Sequence, residues 1–250
     1  TRLPIKYSAD WTPEACGKSV KYFTLIGTIL GLINAAAAYL FVMVLPSFHI
    51  NIAPALGAFL LLLVSTASTG ALHCDGYTDT MDVILSGRSR DRMLEIMKDS
   101  HVGAHGVASL IMLLLGKYSA IMALYTYSRP DLPAFYVLCS ALFLMPSAGR
   151  LAMVIGITLF PYARKEGLGM AFSLYSDKKS LIAASFVTII ALFINYYTFY
   201  KGIAALVLII IFALVFCRHV TNKLGGLTGD VYGAVTELSE LLLLIVFSII

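Results

Sequence analysis

Residues 73–106 read HCDGYTDTMDVILSGRSRDRMLEIMKDSHVGAHG, the longest polar run in a chain otherwise dominated by apolar side chains. Six of the fourteen acidic residues lie between Asp75 and Asp99, together with four of the eighteen lysines and arginines. Asp75, Asp79 and Asp82 stand at i, i+4 and i+7, so a helix of 3.6 residues per turn places all three carboxylates on one face. Anions held side by side repel one another by a few tenths of a kcal/mol per pair. A hard divalent cation relieves that repulsion. Magnesium suits best, because it takes oxygen ligands and retains waters and substrate phosphates. The order of the charges also matters: the acids come first, then Arg88, Arg90 and Arg92, then Glu95, Lys98 and Asp99. A plain solvated loop, the commoner origin of such a run, tends to interleave its signs. A metal site followed by a phosphate-binding basic patch reads in the order found here.

The chain around this run has 250 residues, 59% of them hydrophobic and 13% charged, with a mean hydropathy of +0.87. Those values belong to the multi-span membrane class. A formal charge of +4 is too small to point to nucleic acid. Cys16, Cys74, Cys139 and Cys217 form no CxxC pair, so neither a zinc site nor a disulfide framework is indicated. The opening at Thr1 rather than a methionine reads as a trimmed or renumbered N-terminus, and the polar start TRLPIKYSADWTPEACGKSVK has no apolar core of a signal peptide. Gly17-Lys18-Ser19 ends like a P-loop, but Thr12 stands where that motif needs its first glycine.

Apolar runs long enough to span a bilayer occupy about 22–45, 52–72, 104–127, 133–160, 181–199, 202–217 and 231–250. Seven spans fix an alternation of sides. One side then collects fourteen lysines and arginines, in the segments 1–21, 73–103, 161–180 and 217–230, against Arg129 and Lys201 on the other. The positive-inside rule puts the N-terminus and all the polar segments in the cytoplasm. The expected fold is therefore an all-α polytopic membrane bundle of about seven helices, one domain over 1–250, with a polar cavity facing the cytoplasm.

Four charges remain inside the spans. Lys117, Arg150, Glu237 and Glu240 each cost several kcal/mol to bury, which makes each a functional candidate. Lys117 fits a cavity-facing or snorkelling side chain. Arg150 suits bidentate binding of phosphate, or else a structural ion pair with Glu237 or Glu240. The last polar loop, KLGGLTGDVYGAVTE at 223–237, spaces Gly225, Gly229 and Gly233 every fourth residue, with Gly226 and Thr228 between them. That spacing serves helix packing. It equally serves a turn whose N–H groups approach a phosphate, with Asp230 as a further metal ligand.

Several stretches together resemble the cobalamin synthase family, the adenosylcobinamide-GDP ribazoletransferases of the inner membrane. They are TRLP at 1–4, HCDGYTDTMD at 73–82, DRMLEIMKDSHVGAHG at 91–106, GR at 149–150, PYARKEGLG at 161–169 and KLGGLTGDVYGAVTEL at 223–238. They follow the family's order across nearly the whole chain, with Cys74 where the family usually has leucine. The resemblance implies transfer of the cobinamide-phosphate moiety of adenosylcobinamide-GDP to α-ribazole or its 5′-phosphate, with magnesium, releasing GMP. It implies Asp75, Asp79, Asp82 and Asp230 as metal ligands, and Asp82, His73 and Arg150 as catalytic candidates. Arg92, Lys98, Arg164, Gly225, Gly226 and Thr228 are the candidates for substrate. The implied partners are those substrates and the lipid bilayer, with self-association or contact with other corrinoid-pathway enzymes left open.

Three other readings compete. A CDP-alcohol phosphotransferase would carry Ala-Arg after its aspartate, and Asp79 is followed by Thr80. A metal- or proton-coupled transporter would show inverted repeats or acids distributed along its spans, and neither is visible. A non-catalytic scaffold leaves the clustered carboxylates unexplained.

Overall fold

The computed structural model describes residues 12–97, 101–128, 133–164 and 166–249, and every regular element among them is a helix. Helix α1 (Pro13–Ser19) is capped by Thr12, whose Oγ1 accepts the Ala15 N–H, and a 3-10 turn leads into α2 (Phe23–Tyr39). A π-helical turn at Leu40–Val44 and the single turn α3 (Leu45–Ser47) complete that first span. Then follow α4 (Pro54–Thr69), α5 (Leu72–Leu85), α6 (Arg90–Ile96), α7 (Ala104–Tyr127), α8 (Pro133–Leu159), α9 (Leu168–Tyr175), α10 (Lys178–Ile194), α11 (Phe199–Leu224) and α12 (Gly229–Ser248). All seven apolar runs fold as helices, and the chain is a multi-pass membrane protein.

Five helical stretches are long and apolar enough to cross a membrane alone: Pro13–Ser47, Ala104–Tyr127, Pro133–Leu159, Tyr196–Leu224 and Gly229–Ser248. The other two runs differ from a simple seven-span reading. Helix α10 has 17 residues, about 25 Å at 1.5 Å per residue against a hydrocarbon core of about 30 Å. Its flank is nevertheless lipid-like, with Ile182, Phe186, Phe193 and Ile194 all exposed. Helices α4 and α5 qualify only as a pair bent by 91°. Gly70 and Ala71 both take left-handed backbone angles there (φ 68° and 58°). Their N–H groups close on the Ala67 and Thr66 carbonyls, a cap that ends α4 and turns the chain. The turn sends the acidic run off as a separate helix.

Helix α8 is the central element, buried along almost its whole length between α2, α10, α11, α12 and α7. Its contact with α2 is backbone-close. A Cβ on Gly27 or Gly31 would collide with the carbonyls of Pro146 and Phe143, so these two glycines set the approach of the helices. A hydroxyl ladder follows the same seam: Thr28 Oγ1 donates to Ser147 Oγ at 3.3 Å, and Ser147 meets Thr188 Oγ1 of α10 at 3.4 Å.

One end of the bundle gathers the polar segments. Arg90 Nε donates to the Leu224 carbonyl at 2.8 Å and Lys223 Nζ to the Ile84 carbonyl at 3.2 Å, tying α5 and α6 to the end of α11. The loop after α8 pairs with the loop before α12, Ala163 N–H to Leu227 O and Leu227 N–H to Pro161 O, both at 2.8 Å. At the opposite end Lys201 Nζ closes the C-terminus of α12 on the Ile249 carbonyl at 2.7 Å.

Candidate active site

Asp75, Asp79 and Asp82 do share one face of α5, as their spacing predicts. Their surroundings differ. Asp75 is exposed and Asp79 half-buried, and neither carboxylate has a hydrogen-bond partner among the described residues. Asp82 is engaged. It accepts the Gly103 N–H at 2.9 Å and the Gly106 N–H at 3.2 Å, with His105 Nδ1 at 4.0 Å. These are first-turn amides of α7, which has no capping side chain of its own. A carboxylate supplied by α5 satisfies them and meets the positive end of the helix dipole. Asp82, expected as metal ligand and base, thus also positions the start of α7, and each of its oxygens keeps a lone pair beyond the N–H it accepts.

Asp230 comes to the same face from α12. The approach of α12 is set by Gly76, where a Cβ would strike the Asp230 backbone, and by Gly233, which packs on the His73 backbone. Asp230, Asp75 and Asp82 all lie within electrostatic reach of Asp79, and so does Arg164. Arg164 Nη2 donates to Asp230 Oδ2 and to the Met97 carbonyl, both at 3.2 Å, while its Nε is buried without a partner. The paired loops 161–163 and 225–228 hold that arginine in place. Beside it, burial holds the Tyr162 phenol above its ordinary pKa range, while the Arg164 charge pulls the other way. Tyr162 thus keeps its proton and can donate.

The glycine-rich loop is occupied by structural work. Gly225 (φ 79°) terminates α11 in the left-handed region, under the Arg90 guanidinium. Gly226 lets the 161–163 backbone pass where a Cβ would clash. Thr228 caps α12 through the Val231 N–H at 3.4 Å and hydrogen-bonds Asp230 Oδ2 at 3.2 Å. The loop thus places Arg164 and Asp230, with packing at Gly225 and Gly226 and capping at Thr228. Arg92 is exposed and pairs with Glu95 at 2.6 Å. Lys98 and Asp99 lie outside the described residues, as does the TRLP stretch.

His73 and Arg150 are not joined to the carboxylates. At 100° per residue His73 falls on the side of α5 opposite Asp75 and Asp82. It shares a cavity of about 250 Å³ with Arg150, Phe23, Ile26 and Met153. Behind that cavity lies a buried charge cluster. Lys117 Nζ sits 2.6 Å from both Glu237 Oε2 and Glu240 Oε2, and Arg150 Nη1 lies 3.7 Å from Glu240 Oε1. Lys117 does not snorkel, because two glutamates one turn apart on α12 form a cradle for it inside the protein. The anticipated Arg150–Glu240 contact exists, but Lys117 holds the closer position. Four intramembrane charges of matched sign were the available signal for this cluster.

A helical multi-pass membrane protein with an acidic helix face opposed by an anchored arginine at one end of its bundle is the class that fold and site define. The chain matches the family described as cobalamin-5-phosphate synthase over residues 1–248, and it belongs to that family. It is 40% identical over 246 residues to the adenosylcobinamide-GDP ribazoletransferase of Desulfitobacterium hafniense (strain Y51), covering 98% of this chain and 91% of that protein. To the protein of the same name from Fusobacterium nucleatum it is 34% identical over 268 residues, covering 100% and 94%. To that of Brevibacillus brevis it is 36% identical over 255 residues, covering 98% and 93%. No solved structure matches the chain.

Proposed function

We infer that this protein transfers the cobinamide-phosphate moiety of adenosylcobinamide-GDP to α-ribazole or its 5′-phosphate, with release of GMP. The observation that carries the reading is the near-full-length match to relatives bearing that activity in their names. The geometry agrees with it. Phosphoryl transfer needs positioned oxygens and cations near the leaving phosphate, and the polar end offers carboxylates without a hydrogen-bond partner among the described residues, together with Arg164.

Among the described residues no three acidic, histidine or cysteine side chains converge tightly enough to hold an ion by themselves. That donor set still fits magnesium, which is commonly bound through one or two carboxylates while waters and substrate phosphates complete its shell. Asp79 and Asp75 would hold the ion, with Asp230 nearest on α12. Bound there, magnesium would supply charge neutralisation on the diphosphate. The partly exposed Arg164 guanidinium would meet a phosphate oxygen of the departing GMP. The attacking hydroxyl of the nucleoside forms the new O–P bond at the cobinamide-side phosphorus as the bond to the GMP oxygen breaks. Its proton leaves to water at the exposed acidic face.

The N-terminus and the polar end face the cytoplasm of a cell membrane in this reading, supported by the fourteen-to-two distribution of basic residues. Single cysteines introduced at Arg90 and Lys178 are expected to react with an impermeant maleimide only from the cytoplasmic side, and one at Arg129 only from outside. Labelling of the first two from opposite sides would refute the orientation. GMP release from adenosylcobinamide-GDP plus ribazole, by purified protein in liposomes, tests the activity directly, and its absence with magnesium present would reject it.

A further inference from the structure

Tyr162 follows α8 in the loop that pairs with residues 225–228, and three neighbours hold its side chain. Gly169, at the start of α9, lies so close that a Cβ there would strike the phenol oxygen and the ring edge. The ring packs at a tilt on Tyr232 of α12, with centroids 6.3 Å apart. The third neighbour is the N–H of Gly229, a first-turn amide of α12, which acts on the phenol oxygen as a hydrogen-bond donor. Towards α12 the phenol is therefore an acceptor.

A phenol also has one proton to donate. That proton meets no acceptor among the described residues. Nor is it sealed in. The Tyr232 hydroxyl and Arg164 Nε are closed off from solvent, whereas Tyr162 is only half-buried. In front of α12 the space is open, since a Cβ on Gly229 would meet nothing within 4 Å. Arg164 and Asp230 are both within electrostatic reach of the phenol. An unspent donor thus stands beside the arginine, at the start of the helix that carries Asp230.

The chemistry of that corner selects the ligand. An apolar group would leave the O–H without an acceptor. An anionic oxygen suits both the phenol and the guanidinium, and an O–H bond to a charged oxygen is among the strong ones. It also adds direction. The Arg164 guanidinium is already shared between Asp230 and the Met97 carbonyl, each at 3.2 Å, so a second donor fixes how a phosphate sits against it.

We propose that Tyr162 is a catalytic residue of the transfer, donating a hydrogen bond from its phenol to the phosphate of the departing GMP beside Arg164; this rests on the ribazole-transfer reading above. The proton stays on the phenol throughout, and the bond strengthens as charge gathers on the leaving phosphate.

Tyr162→Phe tests it, because it removes the hydroxyl and keeps the ring against Gly169 and Tyr232. Its kcat for GMP release is expected to fall about a hundredfold, with the KM for ribazole within about twofold of wild type. The unfolding temperature in detergent should barely change. The Kd for GMP, measured by calorimetry on the solubilised protein with magnesium, should rise about tenfold. Tyr232→Phe removes the neighbouring phenol, which is closed off from the open space, and should match the wild type in every value. A loss of turnover shared by Tyr232→Phe, or one that follows a lowered unfolding temperature, would make Tyr162 a packing group. Undiminished turnover or an unchanged Kd for GMP would show its donor unused on that phosphate. Each of these overturns the proposal. Should the wild type release no GMP, the transferase reading fails on its own. GMP binding by wild-type and Tyr162→Phe protein then still decides the role of the phenol, with equal affinities, or no affinity in either, counting against it.

Discussion

Asp79→Asn is expected to lower GMP release by about three orders of magnitude while the protein remains folded in detergent. The amide is isosteric, and the carboxylate it replaces has no hydrogen-bond partner among the described residues to lose. What disappears, in the proposed magnesium site, is one of the two α5 carboxylates that would hold the ion, an effect worth several kcal/mol. Asp82→Ala provides the contrast. It strips the Gly103 and Gly106 amides of their acceptor, which should cost about 1–2 kcal/mol of stability at the start of α7. Activity should fall only as far as the acidic face is displaced. Thermal unfolding followed beside turnover separates the two. Asp79→Asn near wild-type turnover would remove the metal assignment, and a Asp82→Ala protein as dead as Asp79→Asn but equally stable would return Asp82 to the chemistry.

The shared face of Asp75, Asp79 and Asp82 was readable because helical periodicity needs only local sequence, and the seven apolar runs were readable for the same reason. What the neighbours do with that face was not. The partner amides of Asp82 are 21 and 24 positions away, and nothing in either stretch announces that α7 lacks a cap of its own. The bend that separates α5 from α4 depends on Ala71 adopting a left-handed angle, which alanine seldom does and which composition therefore hides. The glycines of 225–233 signal close backbone approach, and their partner could not be read from sequence: Gly226 approaches the 161–163 backbone. His73 and Asp75 are two positions apart in sequence yet belong to opposite sides of one helix.

The buried cluster yields the largest expected effect on stability. Lys117 lies 2.6 Å from each of two carboxylates whose side chains are about as buried as its own. Removing one partner of such a cluster leaves uncompensated charge in a low-dielectric interior, a loss of about 3–5 kcal/mol. Lys117→Met is therefore expected to leave little folded protein after mild heating in detergent. The cure follows from the charge count. In Lys117→Met with Glu237→Gln, Arg150 faces Glu240 alone, a neutral pair already 3.7 Å apart, and folded protein should largely return. Lys117→Met with Arg150→Met strips both cations and should be worse than either single change. The rescued Lys117→Met/Glu237→Gln protein should regain turnover along with stability. Wild-type heat resistance in Lys117→Met would show that the glutamates carry protons and the cluster is not ionic. Recovery of stability without turnover in the double variant would mean that Lys117 itself acts on the substrate, a role that its burial on the far side of Glu237 and Glu240 argues against.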